Sequence, residues 1–159
     1  MRVIAIDPDK DKSGYCILDG RDLIAVGCIR FPDLLEKIAT ECEDANTRVV
    51  VEAGWLETAN WHVHRGDSPS KAAAIGRSLG QNQQTGMLIV EWCRAHGFPV
   101  DEAHPLRKTW RGRDGKITQA ELQAATGLKL PRMNQDARDA ILLAWVWNNN
   151  PVRAYGFKR

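Results

Sequence analysis

Four acidic residues occupy positions from which they could share metal ions. Asp7 and Glu52 each directly follow a short apolar run, and such runs predict buried strands, at whose ends functional sites gather in α/β sheets. Asp136 and Asp139 are three residues apart, a spacing that places both on one face of a helix. Carboxylates held close together repel one another, and a bound cation relieves that repulsion. The four residues therefore predict a site for hard divalent cations.

The helical pair also has a purely structural explanation. Asp136 could simply begin its helix, and Asp139 could pair with Arg138, Arg132 or a neighbouring basic residue. The same helix face continues through Leu143 and Trp147, so it is expected to pack on the sheet, where an acid needs a partner. Considered together with Asp7 and Glu52, the metal-binding interpretation is favoured.

The elements that must hold these acids follow the order β-β-β-α-β-α-β-α-α. The turn at Asp19-Gly20 predicts a hairpin, and Thr118 with Glu121 forms a capping-box pattern before a helix that ends at Gly127. Three meandering antiparallel strands followed by β-α units predict an α/β fold with a mixed five-stranded sheet flanked by helices. The predicted strands are 3–6, 14–18, 23–29, 48–52 and 98–103, and the remaining predicted helices are 31–42, 70–95 and 134–147.

Length and composition indicate an ordinary globular chain. The 159 residues, 43% of them hydrophobic and 26% charged, predict a single domain spanning 1–159. No apolar run reaches the roughly 18 residues of a membrane helix, and the run before Asp7 is too short for a signal peptide, so we expect a cytoplasmic protein. The four cysteines lack C-x-x-C spacing and are expected to be reduced, chiefly as small buried hydrophobes.

Charge is distributed unevenly along the chain. Residues 1–103 carry 11 Lys and Arg against 16 Asp and Glu, a net charge of −5, whereas residues 104–159 carry 11 against 4, a net charge of +7. This asymmetry favours a polyanionic partner such as nucleic acid.

A basic loop within 104–116 is the candidate nucleic-acid contact. Its basic side chains are interrupted by one acid, Asp114, and include one aromatic ring. Basic residues can contact phosphates while an aromatic ring stacks on a base, although a solvated surface loop is the alternative. The candidate residues are Arg107, Lys108, Trp110, Arg111, Arg113 and Lys116.

A second loop, 53–69, has no periodic pattern and is predicted to be functional. Trp55 in this loop could stack on an unpaired base or belong to the core. His62 and His64 form an H-x-H pattern, but because no third ligand is apparent, a zinc site is not favoured.

Three segments in this order resemble the RuvC-type Holliday junction resolvases, which have the ribonuclease-H-like fold. Ile6-Asp7-Pro8 with Ser13-Gly14-Tyr15 is similar to that family's opening I-D-P-G and T-G-Y motifs, and 49–52 is similar to its second acidic strand. Leu130-Pro131 followed by Asp136-Ala137-Arg138-Asp139-Ala140 resembles its closing helix. The resemblance covers residues 2–145, and the spacing between the segments is also similar.

The resemblance implies an endonuclease that cuts four-way or branched DNA. The four acids would bind two Mg²⁺ ions, with Asp7 bridging them, and Mn²⁺ is expected to substitute. Hydrolysis by two metals leaves a 5′-phosphate and a 3′-hydroxyl and needs no protein nucleophile. Arg107 and Lys116 lie near family lysines that contact the DNA backbone, and Trp55 lies where the family has an aromatic residue that probes the junction.

The resemblance also implies a homodimer formed through the predicted helix 70–95. Gly76, Gly80 and Gly86 weaken that helix, so close packing against another helix would explain them. A two-fold dimer would match the symmetry of a four-way junction and its paired cuts.

One departure from the family pattern and three alternatives remain. The glycine expected after Asp-Pro is Asp9, and Asp11 adds a further charge; such an acid could tune metal affinity, but a solvated position is favoured. The substrate could instead be an RNA–DNA hybrid or branched phage DNA. A non-catalytic nucleic-acid-binding relative is disfavoured because all four acids are present, and an actin-like or sugar-kinase-like ATPase is disfavoured by length and by the lack of phosphate loops.

Overall fold

The structure is a computed structural model that describes residues 1–57 and 66–152 of the chain. Short 3₁₀ turns occur at Gly54–Leu56 and Arg113–Gly115. The strands are β1 (Arg2–Asp7), β2 (Ser13–Asp19), β3 (Asp22–Ile29), β4 (Thr47–Glu52) and β5 (Val100–Ala103), and the helices are α1 (Phe31–Glu41), α2 (Pro69–Ala95), α3 (Gln119–Thr126) and α4 (Gln135–Trp147).

The five strands form one mixed sheet in the order β3-β2-β1-β4-β5. β1 pairs antiparallel with β2 and parallel with β4, and β5 continues the parallel half of the sheet. This is the predicted architecture, and it makes β1 and β4 parallel neighbours. The acids at the ends of these two strands consequently emerge at the same edge of the sheet.

The central strand β1 is buried on both faces because successive side chains alternate between two hydrophobic cores. Val3 and Ala5 belong to the core beneath α3 and α4, whereas Ile4 and Ile6 belong to the core beneath α1 and α2. A continuous apolar run suits a strand covered on both sides. The alternation also fixes the face to which the next side chain, that of Asp7, belongs.

The predicted helix signals have the expected structural roles. Thr118 accepts a hydrogen bond from the backbone of Glu121, whose side chain bonds back to the Thr118 amide, so the predicted capping box is formed. Gly127 ends α3 with φ 78°, a left-handed conformation that favours glycine. Asn134 caps α4 by accepting from the amide of Ala137.

Predicted and observed bounds agree closely, and β5 shows the largest shift. The strand begins at Val100 rather than at the predicted Phe98. Pro99 lacks an amide hydrogen and offers only its carbonyl oxygen, which accepts from Val49 at 2.9 Å.

In the described residues no helix is both long and apolar enough to cross a membrane. All four cysteines are free, with Cys16 and Cys93 buried as expected and the other two partly exposed.

Candidate active site

Asp7 and Glu52 meet because strand alternation directs both to one face of the sheet. Asp7 continues the positions of Val3 and Ala5, and Glu52 continues the position of Val50, all three of which belong to the core beneath α4. The parallel register pairs Ile6 with Val51, so the two acids directly follow paired residues. Both side chains line one cleft of about 240 Å³.

The first turn of α4 brings Asp136 and Asp139 into the same cleft. Gly14 makes this approach possible, because a Cβ at this position would overlap the backbone carbonyl of Asp136. Gly14 is also the partner of Asp7 across β1 and β2. The helix therefore begins directly over the strand pair that carries Asp7. All four predicted acids thus line one cleft.

Proximity of the acids disfavours their ionisation. Burial raises the pKa of Asp7 well above its ordinary value, and the charges of Glu52, Asp139 and Asp136 raise it further. The pKa of Glu52 is raised by burial and then by Asp139, although Lys108 and Lys116 oppose the shift. A bound cation would neutralise these negative charges and so stabilise the ionised form of the acids.

Asp139 already has partners for both carboxylate oxygens. Gln135 Nε2 donates to Asp139 Oδ1 at 2.7 Å, and the Lys116 ammonium lies 3.5 Å from Oδ2. The structural alternative paired Asp139 with Arg138, Arg132 or a neighbouring basic residue, and the observed partner is the basic residue Lys116. Across 1–57 and 66–152, no three His, Cys, Asp or Glu side chains are gathered tightly enough to hold a metal in this arrangement.

The donor set nevertheless fits hard divalent cations. Carboxylate oxygens are the ligands that Mg²⁺ and Mn²⁺ accept, and Mg²⁺ retains several waters, so it needs only a few protein ligands. The burial and mutual repulsion that raise the pKa values of Asp7, Glu52 and Asp136 are the conditions that a cation relieves. Rotation of Asp139 away from Lys116 would add a ligand.

The basic loop forms a basic wall of the cleft. Arg107, Lys108, Trp110 and Lys116 line the cleft. Trp110 is partly buried and packs against the core, so its ring combines a structural contact with cleft exposure. Arg111 and Arg113 lie outside the cleft lining, and the side chain of Arg113 is 96% exposed beside Asp114.

Hydrogen bonds give this loop a defined shape. Trp110 N donates to Gly115 O at 3.0 Å, and Gly112 N donates to Lys116 O at 2.9 Å. The Glu121 side chain accepts from Arg111 N at 2.9 Å; burial opposes ionisation of Glu121, but bonds from Thr118 and Arg111 outweigh it and lower its pKa. The capping box of α3 thus also anchors the basic loop.

Trp55 lies at the side of the cleft beside α2. Its indole Nε1 donates to Glu102 Oε2 at 2.7 Å, and its ring covers Gly86, where an added Cβ would be 2.5 Å from the ring. Glu102 is itself paired with Arg94 at 2.6 Å. Trp55 is therefore braced by the protein while it lines the cleft, which combines features of both predicted alternatives.

The two unexpected acids differ from each other. Asp11 is exposed, as expected for a solvated residue, but both carboxylate oxygens of Asp9 accept hydrogen bonds, from the amides of Asp11 and Lys12 and from Asn82. The solvated interpretation is therefore wrong for Asp9. The predicted H-x-H pattern of His62 and His64 lies outside the described residues.

Three residues that shape the site were not predicted as parts of it. Gly14 was noted in the sequence only as part of the Ser13-Gly14-Tyr15 motif. Its close approach to α4 leaves no recognisable pattern in the neighbouring sequence. Asn82 and Gln83 line the cleft from α2, and polar residues in a helix give no signal that separates them from surface residues. Only their position opposite the strand ends reveals them.

Comparisons with known proteins agree with the resemblance found in the sequence. No family model matches the chain. The crossover junction endodeoxyribonuclease RuvC of Methylococcus capsulatus (strain Bath) is 31% identical over 157 residues, covering 91% of this chain and 88% of that protein.

Among solved structures, T. thermophilus RuvC in complex with a Holliday junction substrate matches with a TM-score of 0.51 and 16% identity, covering 91% of this chain and 90% of that one. Another structure of Thermus thermophilus RuvC matches with a TM-score of 0.45 and 17% identity over 96% and 99% of the two chains. The first of these structural matches supports the ribonuclease-H-like fold, and the sequence similarity to the curated relative identifies the family. With its mixed sheet and this sequence similarity across nearly its whole length, the chain belongs to the RuvC family of crossover junction endodeoxyribonucleases.

Proposed function

We propose that the protein is a metal-dependent endonuclease that cuts four-way or otherwise branched DNA. The observation that carries the proposal is one cleft lined both by four carboxylates and by basic side chains. Acidic side chains alone would repel a phosphodiester, and basic side chains alone would bind it without cleaving it. Their combination around one cleft, in a chain of this family, supports hydrolysis of a nucleic-acid backbone.

In the proposed mechanism, Asp7, Glu52, Asp136 and Asp139 hold the catalytic cations. Two Mg²⁺ ions, for which Mn²⁺ would substitute, would activate a water and stabilise the leaving 3′-oxygen, so that cleavage leaves a 5′-phosphate and a 3′-hydroxyl. Asp7 is central because the other three acids all raise its pKa. Lys116 would compensate the negative charge of Asp139 while the cations are absent.

The basic wall would hold the DNA. Arg107 and Lys108 are exposed at the cleft and have no ion-pair partner among the described residues, so their charges are available to phosphates. Such contacts position the backbone without reading its sequence. Trp110 and Trp55 offer ring surface to bases at the two sides of the cleft. Arg111 and Arg113, outside the cleft, would contribute only long-range attraction.

We further propose a homodimer in which α2 contributes the contact. From Pro69 to Thr85 this helix has no buried residue, and a Cβ at Gly76 or Gly80 would meet nothing within 4 Å in the described part of the chain. Gly86 is explained by Trp55, whereas no contact among the described residues requires a glycine at these two positions. Paired sites on a two-fold axis would suit paired cuts in a symmetric junction. Action on DNA would place the protein in the cytoplasm.

Cleavage of labelled DNA of different shapes tests the proposal. A synthetic four-way junction is compared with linear duplex, single strand, a flap and an RNA–DNA hybrid, each with Mg²⁺, with Mn²⁺ and with EDTA. We expect paired nicks in opposite arms of the junction, dependent on metal. Cutting of the hybrid or the flap in preference to the junction would reassign the substrate, and tight binding without any cutting would contradict the enzyme.

Asp7→Asn should reduce cleavage to the level seen in EDTA because it removes the central carboxylate. Binding of the junction should persist, since the basic wall is unchanged. Cleavage and a gel-shift assay measure the two properties on the same preparation. Asp11→Asn, which removes an exposed acid from the neighbouring turn, is the matched control and should cut like the wild type. Cutting by Asp7→Asn would refute the metal-site assignment.

A further inference from the structure

Two consecutive side chains of α2 contact the segments that follow the two metal-site strands. Asn82 and Gln83 share a helix face with Gly86, since residues three and four positions apart are neighbours on a helix. This face is turned toward the cleft, which both polar side chains line. β1 ends at Asp7 and β4 ends at Glu52, so the helix lies beside both strand ends.

Asn82 secures the turn after Asp7. Asn82 Nδ2 donates to Asp9 Oδ2 at 3.2 Å, and Asn82 Oδ1 accepts from Lys10 N at 3.0 Å. The other oxygen of Asp9 accepts from Asp11 N at 2.8 Å, and Asp9 N donates to Ser13 Oγ at 3.1 Å. The turn is thus closed on itself and attached to α2, two residues beyond the central acid.

Gln83 secures the segment after Glu52 in the same way. Gln83 Nε2 donates to the carbonyl oxygen of Gly54 at 3.1 Å, two residues beyond the acid. One helical turn later, Gly86 leaves space for Trp55, and an added Cβ would be 2.5 Å from that ring and 3.0 Å from Pro8. The residues immediately after both strands therefore rest on a single rigid helix.

The strand pairing alone does not extend to the acids. The register between β1 and β4 runs to Ile6 and Val51, one residue short of Asp7 and Glu52. Asp7 remains paired with Gly14 on one side, and Glu52 with Ala103 on the other. Beyond the last paired residues, α2 connects the two following segments through Asn82 and Gln83.

We propose that Asn82 and Gln83 are positioning residues that set the separation of Asp7 and Glu52 and thereby the affinity of the site for divalent cations. The inference rests on the proposed function of these acids as metal ligands. Residues that orient metal ligands through hydrogen bonds typically change metal affinity 10- to 100-fold when mutated. A role limited to attaching α2 would instead change stability without changing metal binding.

Mn²⁺ binding to the DNA-free protein tests the proposal, measured by calorimetry or by electron paramagnetic resonance. Asn82→Ala and Gln83→Ala should each weaken Mn²⁺ binding by about 10-fold. Gln84→Ala, an exposed neighbour on the same helix with no hydrogen bond from its side chain in the described residues, should bind like the wild type. Loss of these hydrogen bonds should lower the metal-free melting temperature of Asn82→Ala and Gln83→Ala modestly, whereas metal-free junction binding should be unchanged in all three variants.

Cleavage assays over a range of Mg²⁺ concentrations separate metal affinity from the rate of the chemical step. In the two positioning variants, the Mg²⁺ concentration that gives half the maximal rate should rise by the same factor as the Mn²⁺ dissociation constant. The rate at saturating Mg²⁺ should remain near that of the wild type, since all four acids are present. A lower saturated rate with unchanged Mg²⁺ dependence would overturn the proposal.

An exchange of hydrogen-bonding groups supplies a rescue. Asn82→Asp places a carboxylate against Asp9 and should weaken Mn²⁺ binding, and adding Asp9→Asn restores a donor and an acceptor between the two positions. The double variant should regain most of the lost affinity. If Asn82→Ala does not fold, Gln83→Ala and this pair decide the outcome.

The results distinguish the two levels of inference. A wild-type protein that neither binds Mn²⁺ nor cuts DNA refutes the proposed function, and with it this inference. A wild type that does both, with positioning variants that bind Mn²⁺ equally well, refutes the inference alone. Variants that lose only melting temperature would show that Asn82 and Gln83 merely fasten the helix.

Discussion

At the scale of single residues, the unusual feature is an acid that the fold makes hard to ionise. Asp7 is flanked by three carboxylates, and burial and their charges raise its pKa well above the ordinary 3.8. Lys116 opposes the shift but does not cancel it. The metal-free protein therefore stores electrostatic repulsion at the site where cations are proposed to bind, and stability should respond to pH and to metal.

The metal-free protein should lose stability as pH rises. Where the folded chain keeps a proton on Asp7 that the unfolded chain has released, protonation favours the folded state. This contribution is complete below pH 3.8 and disappears as pH rises through the raised pKa of Asp7. Thermal melting in EDTA across pH 4–8, a range around the ordinary carboxyl pKa values, measures it.

Asp7→Asn is the control for that pH profile because it removes the titrating group. The melting temperature of the wild type minus that of Asp7→Asn should decrease with rising pH. Mn²⁺ at neutral pH should then raise the melting temperature of the wild type more than that of the variant, because only a ligand that binds the folded state adds stability. Parallel pH profiles for the two proteins would contradict the assigned pKa shift.

At the scale of elements, the decisive contact is between the start of α4 and the β1–β2 pair. α4 carries two of the four acids, and it reaches Asp7 only because Gly14 has no side chain. Asn134, the cap of this helix, also bonds to the Cys28 thiol on β3. The position of α4 along the sheet is therefore set by one close backbone approach and one capping residue.

Gly14→Ala should displace the first turn of α4 and impair the site. The added methyl group would overlap the carbonyl of Asp136, and overpacking of this kind costs about 1–3 kcal/mol. We expect a lower melting temperature and, in protein that remains folded, weaker Mn²⁺ binding and slower cleavage. Gly66→Ala, where an added Cβ meets no atom of the described residues within 4 Å, is the control. Normal metal binding in Gly14→Ala would show that Asp136 is not a ligand.

At the scale of the whole molecule, the notable feature is the long helix α2, of which only the second half has side chains buried in the core. The second half of α2 buries Ile89, Val90 and Cys93 in the core, whereas the first half buries nothing. Met87 and Leu88 are also substantially exposed on this helix. Before Asn82, this helix buries no side chain in the core of the described residues, so it gains little there from packing within its own chain. The proposed second subunit would cover this part of the helix.

Gly80→Ala tests whether this part of α2 lies in a dimer interface or on a solvent-exposed surface. In an exposed helix, this change stabilises the helix by about 1 kcal/mol, so a monomer should melt at a higher temperature. If Gly80 permits close packing against a second copy, the same change should weaken the dimer, as measured by analytical ultracentrifugation. Ser78→Ala, at an exposed position of the same helix, is the control. A dimer unaffected by Gly80→Ala would place the interface elsewhere.

The sequence by itself determined the strands, the helices and the four candidate acids, because their signals are local. The apolar run Val3–Ile6, the capping box at Thr118 and the i, i+3 pair at Asp136 are each contained within a few residues. The family motifs then related segments that lie far apart along the chain. Only the tertiary structure decided which side chains contact those acids.

The contacts that tertiary structure alone decided join residues distant in sequence. Asp139 faces Lys116, Asp9 is held by Asn82, and Trp55 is braced by Glu102. None of these pairings follows from spacing, because each depends on how helices and loops pack against the sheet. Local patterns specify the direction in which a side chain leaves its strand or helix, whereas its partners depend on the packing of the entire molecule.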